Sequence, residues 1–300
     1  MKDKISSEYK DLQSYICAEL EKYDGTGIFK QDTWIREEGG GGRTNTMSNG
    51  KIIEKGGVAF SEVFGSVTPE MKRQLGTQGD SFFATGVSIV LHPHSPHIPI
   101  IHMNIRYFEL DNGTYWFGGG IDLTPHYVIP RQAAIFHLDL KEICDSYDLE
   151  FYSKFKPWAD DYFFNTHRNE TRGVGGIFFD HLSHENSALT KESLFDFCKD
   201  LGKAFPHIYQ RQIILGENSE VQVNHTEWQR LRRGRYVEFN LVHDRGTKFG
   251  LVSGGRTESI LLSMPPSANW VYSYQAEKNS MEEHTLNWLK KDIDWLGYLD

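Results

Sequence analysis

The sequence predicts an α+β fold: one large antiparallel β-sheet flanked on both faces by helices, in a single domain over residues 1–300. Three features carry that expectation. Period-two segments gather in two blocks, hairpin turns join neighbouring segments within a block, and helical periodicities group between and outside the blocks. No low-complexity linker and no repeat of fixed period divides the chain.

Taken in chain order, residues 3–23 read as an amphipathic helix, because Ile5, Tyr9, Leu12, Ile16 and Leu20 recur at helical spacing. Glycines 39–42 read as a loop. Period two begins at Phe82 and runs through 87–92 and 98–110. Asp111-Asn-Gly113 then signals a hairpin into 114–123, since Asn-Gly accepts the positive φ angles of a tight turn. Helical patterns follow at 134–147, 150–166, 191–205 and 220–231. A second hairpin is expected from 235–243, a turn at Asp244-Arg-Gly246, and 248–252, with a further strand near 258–264. Residues 281–299 read again as an amphipathic helix.

Composition narrows the function. Hydrophobic residues at 39% and charged residues at 24% are ordinary globular usage and exclude disordered and fibrous classes. A net charge of −9 argues against non-specific nucleic-acid binding, which depends on neutralising phosphates. The apolar stretches are far short of the ~18 residues a membrane span needs. The first residues carry acids and no apolar leader, and three widely spaced cysteines (Cys17, Cys144, Cys198) suit reduced thiols, so a cytoplasmic location is expected. Seven Trp, fourteen Tyr and nineteen Phe supply core, and would also suit a flat apolar ligand.

The segment 98–110 is the most informative. Alternate side chains of a strand face opposite ways, so His102, Asn104 and Arg106 share one face while Met103, Ile105 and Tyr107 share the other. Ser88 and His92 share a face by the same parity, and pairing of the two strands would give a row of Ser, His, Asn and Arg. A solvated sheet face usually carries Lys, Glu and Thr instead. Gly118-Gly-Gly120 marks a bulge or a close approach by a ligand. Asp122, set between Ile121 and Leu123, is either a buried, partnered structural acid or a carboxylate that accepts N–H donors from a ligand. Gly clusters adjoin Arg43, Arg172 and Arg256, which suits carboxylate or phosphate clamping. Arg232-Arg233-Gly-Arg235 reads as a solvated helix end or a phosphate patch. No nucleotide fingerprint is present; Gly202-Lys203 lacks the rest of a P-loop. Thirteen histidines match no metal motif, and acid–base or ligand-contact roles fit them better. These readings reach an enzyme or binding protein for an anionic ligand.

Six motifs carry the chain further. They are Trp34-Ile-Arg-Glu-Glu-Gly-Gly-Gly-Gly-Arg43, His92-Pro-His94 with His102-Met-Asn-Ile-Arg106, Trp116-Phe-Gly-Gly-Gly-Ile-Asp-Leu-Thr-Pro125, His167-Arg-Asn-Glu-Thr-Arg-Gly-Val-Gly-Gly176, Arg232-Arg-Gly-Arg-Tyr-Val-Glu-Phe-Asn-Leu241 and Ser253-Gly-Gly-Arg-Thr-Glu-Ser259. In these the chain resembles the oxygen-dependent coproporphyrinogen-III oxidases over nearly its whole length. The resemblance implies a homodimer on a large antiparallel sheet, with the segment of about 236–271 in the dimer interface. It implies oxidative decarboxylation of the ring A and B propionates of coproporphyrinogen III to vinyl groups, giving protoporphyrinogen IX, CO₂ and H₂O₂. O₂ is then the co-substrate, no organic cofactor is implied, and a divalent metal is not expected to be essential. By the same resemblance His102, Asp122 and Arg106 are the catalytic candidates, His102 as the proton-transfer residue and Asp122 as acceptor of the pyrrole N–H groups. Ser88, Asn104, Ile105, Arg106, Gly254, Gly255 and Arg256 are substrate contacts, with Arg43 and Arg172 as further propionate clamps. If a metal binds, its ligands are His92, His102, His137 and His167. A non-catalytic tetrapyrrole carrier and a histidine-ligated metallohydrolase are the alternatives.

Overall fold

The computed structural model describes residues 1–75, 78–217, 219–252 and 256–299. Its elements run α1 (Lys2–Asp24), β1 (Lys30–Ile35), β2 (Gly40–Ser48), β3 (Ile53–Ser66), α2 (Pro69–Leu75), β4 (Ser81–Pro93), β5 (Ile100–Leu110) and β6 (Tyr115–Thr124). Then come α3 (Pro130–Asp145), α4 (Phe151–Tyr162), β7 (Phe164–Asn165), β8 (Glu170–Thr171), β9 (Gly176–Leu182), α5 (Lys191–Gly216) and α6 (Val223–Val242). The chain ends in α7 (Arg245–Val252), α8 (Thr257–Ile260), a 3₁₀ turn (Leu261–Ser263), α9 (Met281–Trp288) and a second 3₁₀ turn (Trp295–Tyr298). Seven strands form one antiparallel sheet in the order β1-β2-β3-β4-β5-β6-β9, and β7 pairs with β8 apart from it.

The two sheet faces do different work. One is continuous core: Val87, Ile89, Met103, Ile105, Tyr107, Phe117, Ile121 and Phe179 are all buried on it. Helices α1 and α5 cover this face and meet each other, the Tyr9 and Phe195 rings lying 5.7 Å apart. Gly202 has a packing role here, because a Cβ at that position would stand 2.5 Å from Leu12 Cδ2. Much of the aromatic excess is spent in this core, on Phe136, Phe195, Phe197 and Phe205 among others. The opposite face is only partly covered. Tyr236 of α6 packs on Val90 and Ile100, and the turn after α8 brings its Leu262 side chain against Gly57 of β3.

Met103 tests the division of faces. It is fully buried among the core residues, so Met103→Ala is expected to cost about 2–5 kcal/mol through the cavity it leaves. Denaturant unfolding measures the cost, and turnover per folded molecule should be preserved.

Several segments fold differently from their sequence pattern. Strands β1, β2 and β3 precede the first expected one, and glycines 40–42 belong to β2 rather than to a loop. Outer strand β1 is mostly exposed and so shows no apolar alternation to read. Strand β9 lies between the helical patterns at 150–166 and 191–205, where no strand was expected. The expected hairpin at 235–252 and the strand near 258–264 do not form; α6 continues to Val242, and α7 and α8 follow. Tyr, Val, Phe and Leu suggested period two there. Burial instead recurs at Arg232, Arg233, Tyr236, Phe239 and Asn240, which is helical spacing. At the end, only Met281–Trp288 is α-helical. The Asp111-Asn-Gly113 hairpin is as expected, with Gly113 at φ 87°.

Candidate active site

Register builds the site. In antiparallel pairs, directly opposed residues share a face. Ser88 stands opposite Asn104, Asn104 opposite Gly120, and Gly120 opposite Phe178. One step along, Gly86 opposes Arg106, which opposes Gly118. On the other side, His102 opposes Asp122. Ser88, His102, Asn104, Arg106 and Asp122 therefore rise from the partly covered face, as parity predicts, on a floor that Gly86, Gly118 and Gly120 keep low. Ile105 is the exception among the expected contacts: its side chain turns to the opposite face and is fully buried, so only its main chain lies in the floor.

Asp122 is buried and fully engaged. Arg172 holds it with two nitrogens, Nη2 at 2.7 Å from Oδ1 and Nε at 3.2 Å from Oδ2, and His102 Nδ1 donates to Oδ1 at 2.8 Å. Burial alone would raise the carboxyl pKa, but the Arg172 charge and the His102 bond outweigh it and hold Asp122 below the ordinary carboxylate range. An ionised Asp122 accepts only, so His102 carries a proton on Nδ1, and Nε2 is the ring nitrogen that Asp122 does not engage. The His102 side chain is 23% exposed, against 2% for Asp122.

Arg172 is itself fixed by α6 and by the end of α4. Its guanidinium lies 4.4–4.6 Å from the ring centres of Phe163, Tyr236 and Phe239, and Nη1 donates to Asn240 Oδ1 at 2.7 Å. This aromatic cage keeps water from the ion pair while its ring faces favour the cation. Burial pushes the Tyr236 hydroxyl up to about 12, which keeps it neutral. Arg172 was expected to clamp a propionate; buried at 3% exposure, it instead neutralises Asp122.

The other arginines divide. Arg106 remains 40% exposed beside the floor, with Nη2 2.8 Å from Asp180 and Nη1 3.3 Å from Asn104 Oδ1. Arg43 bonds Gln13, Ser14 and the Lys10 carbonyl of α1, so it is no propionate clamp. Arg256 pairs with Asp32 of β1. Gly254 and Gly255 lie outside the described residues. Arg232, Arg233 and Arg235 are neither a solvated helix end nor a phosphate patch, since all three are buried and each pairs with a glutamate.

The four histidines suggested as metal ligands do not form a site. His92 is sealed under the turn after α8, with Nε2 2.8 Å from the Ser263 carbonyl, and burial lowers its pKa to about 3. His137 uses both ring nitrogens inside the core, on the Tyr152 hydroxyl and the Val174 carbonyl. His167 bonds His243 and Glu238. Among the described residues no group of three or more His, Cys, Asp or Glu is arranged to hold a metal ion. His92, His102, His137 and His167, as placed, do not fit one.

Sequence reasoning missed Phe163, Asp180, Tyr236, Phe239 and Asn240. The last three were discoverable, because their spacing of three and four residues puts an aromatic–amide stripe on one helix face.

Comparison with known proteins places the chain in a family. The sequence profile described as Coproporphyrinogen III oxidase matches residues 4–295. The oxygen-dependent coproporphyrinogen-III oxidase of Prochlorococcus marinus strain NATL1A is 46% identical over 308 residues, covering 95% of this chain and 88% of that protein. The protein of the same name from strain MIT 9312 is 43% identical over 322 residues, covering 100% and 94%. The chain belongs to the coproporphyrinogen III oxidase family.

Proposed function

We propose that this protein catalyses the O₂-dependent oxidative decarboxylation of two propionates of coproporphyrinogen III, forming protoporphyrinogen IX in haem biosynthesis. Each step takes one hydrogen from the propionate carbon next to the pyrrole, releases the carboxylate as CO₂ and leaves a vinyl group. The two electrons pass to O₂, which takes up two protons to become H₂O₂.

The observation that carries the reading is the His102–Asp122–Arg172 assembly beside Arg106 on a glycine-lined floor. His102 and Arg106 stand four residues apart on one strand, about 13 Å at ~3.3 Å per residue, a span that suits a porphyrinogen. Arg106 holds a propionate, and Ser88 and Asn104 contact the macrocycle between them. His102 Nε2 accepts the proton lost from substrate, and the Asp122 anion stabilises the imidazolium. Both carboxylate oxygens of Asp122 are already bonded to protein, so in this reading it acts through His102 and does not itself collect the pyrrole N–H groups.

Two exposed segments within 236–271, Leu241–Val242 and Trp270–Val271, support placing the homodimer interface there. No helix among the described residues is long and apolar enough to cross a membrane. All three cysteines are buried and unpaired, which supports a reducing, cytoplasmic setting.

The test is incubation with coproporphyrinogen III. In air, CO₂ release with matching H₂O₂ is expected; under strict anaerobiosis both should stop. Decarboxylation that continues without O₂ would sink the proposal. Arg106→Lys keeps the charge but loses the bidentate fork. It should raise KM about ten-fold, with a smaller effect on kcat.

A further inference from the structure

We propose that Asp180 is a built-in stand-in for the substrate carboxylate: it occupies Arg106 in the free protein and gives way when a propionate binds. The proposal rests on the reading that Arg106 is a propionate-binding residue.

The geometry is specific. The β6–β9 pairing shifts register between Phe117 and Gly119, and the irregularity falls at Gly118. Bulges of this kind re-aim a side chain. Here Asp180 and Arg106 meet across Gly118, where a Cβ would stand 2.6 Å from Asp180 Oδ1 and 2.7 Å from Arg106 Nε. Glycine at 118 is therefore what lets the pair form over the floor. The next residue, His181, takes a left-handed φ of 50° and donates its N–H to Asp180 Oδ1 at 2.9 Å. One oxygen of Asp180 is thus held by its own backbone, and the other is offered to the guanidinium.

The contact is also one that a ligand can displace. Both side chains are partly open, at 40% for Arg106 and 26% for Asp180, unlike the sealed Arg172–Asp122 pair at 3% and 2%. Exposed pairs are weak because solvent screens them. On its far side Asp180 forms the wall of a groove of ≈ 410 Å³ that Lys154, Trp158, Leu182 and Asn186 also line, which leaves it room to turn away. Exchange of one carboxylate for another keeps Arg106 neutralised throughout. A ligand without a carboxylate has nothing to exchange, so Asp180 would select for anionic substrates.

Coproporphyrin III, the fluorescent oxidised form with the same four propionates, serves as the binding probe, and KM for coproporphyrinogen III as the second readout. Asp180→Asn keeps the shape and the bond from His181 while removing the competing charge. It should tighten probe binding about two- to five-fold and lower KM in step. In an Arg106→Gln background the same change should have no effect, as a double-mutant cycle requires. Asp180→Ser repeats the comparison without an amide that could hold Arg106. Weaker or unaltered binding in Asp180→Asn would overturn the proposal and make Asp180 a support for Arg106. Equal tightening in the Arg106→Gln background would overturn it as a general charge effect. If Arg106→Gln alone left affinity unaltered, the underlying reading of Arg106 would fail, and the proposal with it.

Discussion

Asp122→Ala is expected to abolish measurable turnover and to destabilise the protein by about 3–5 kcal/mol, because it strands the buried Arg172 guanidinium without its counter-charge. Asp122→Asn separates the two effects. The amide keeps the shape and one acceptor oxygen for Arg172, so less stability should be lost than in Asp122→Ala, but the neutral group cannot stabilise a charged His102. A kcat loss of about 10²–10⁴-fold is expected. Replacing both members of the pair, as in Asp122→Leu with Arg172→Met, removes the stranded charge and should restore much of the stability. Turnover should stay absent. Denaturant unfolding and CO₂ release on these variants decide the matter: near-native turnover in Asp122→Asn would remove Asp122 from the chemistry and leave it a structural ion pair.

The sequence made the floor of the site legible because a strand obeys a local rule. Period two placed His102, Asn104 and Arg106 together, and the Asn-Gly turn set the hairpin that brings Asp122 opposite His102. The walls obey no such rule. Arg172 reaches Asp122 from 50 residues away, and nothing in the Gly-rich segment around it says whether it clamps a ligand or a neighbour. Residues 235–264 misled for another reason. Tyr, Val and Phe have high strand propensity, but that preference is a fit to half-buried surface and yields to context. Here the context is the aromatic cage, which only a helix can build from residues 236, 239 and 240. Arg43 shows the same limit in reverse. It follows a glycine run as a ligand-clamping arginine would, yet its strand parity aims it at α1. Asp180 depends on a register shift that no local pattern announces.

His102→Ala is expected to lower kcat by about 10²–10⁴-fold, the usual worth of a positioned general acid or base, while KM moves by a few-fold at most. The structure supports this split. Asp122 fixes one ring nitrogen and the Phe163 ring stands edge-on at 6.2 Å, so the imidazole is oriented before substrate arrives. Substrate affinity rests chiefly on Arg106, four residues along the strand, and is little altered by the loss. Stability should fall by only about 1 kcal/mol, the net worth of one hydrogen bond, because Arg172 still neutralises Asp122. Steady-state kinetics with thermal unfolding on the same preparation measures both quantities. Added imidazole should recover part of the lost rate, since the variant leaves space beside an intact carboxylate. If KM rose by the whole factor while kcat held, His102 would bind substrate without transferring its proton, and the base would have to be sought among the other groups of the floor.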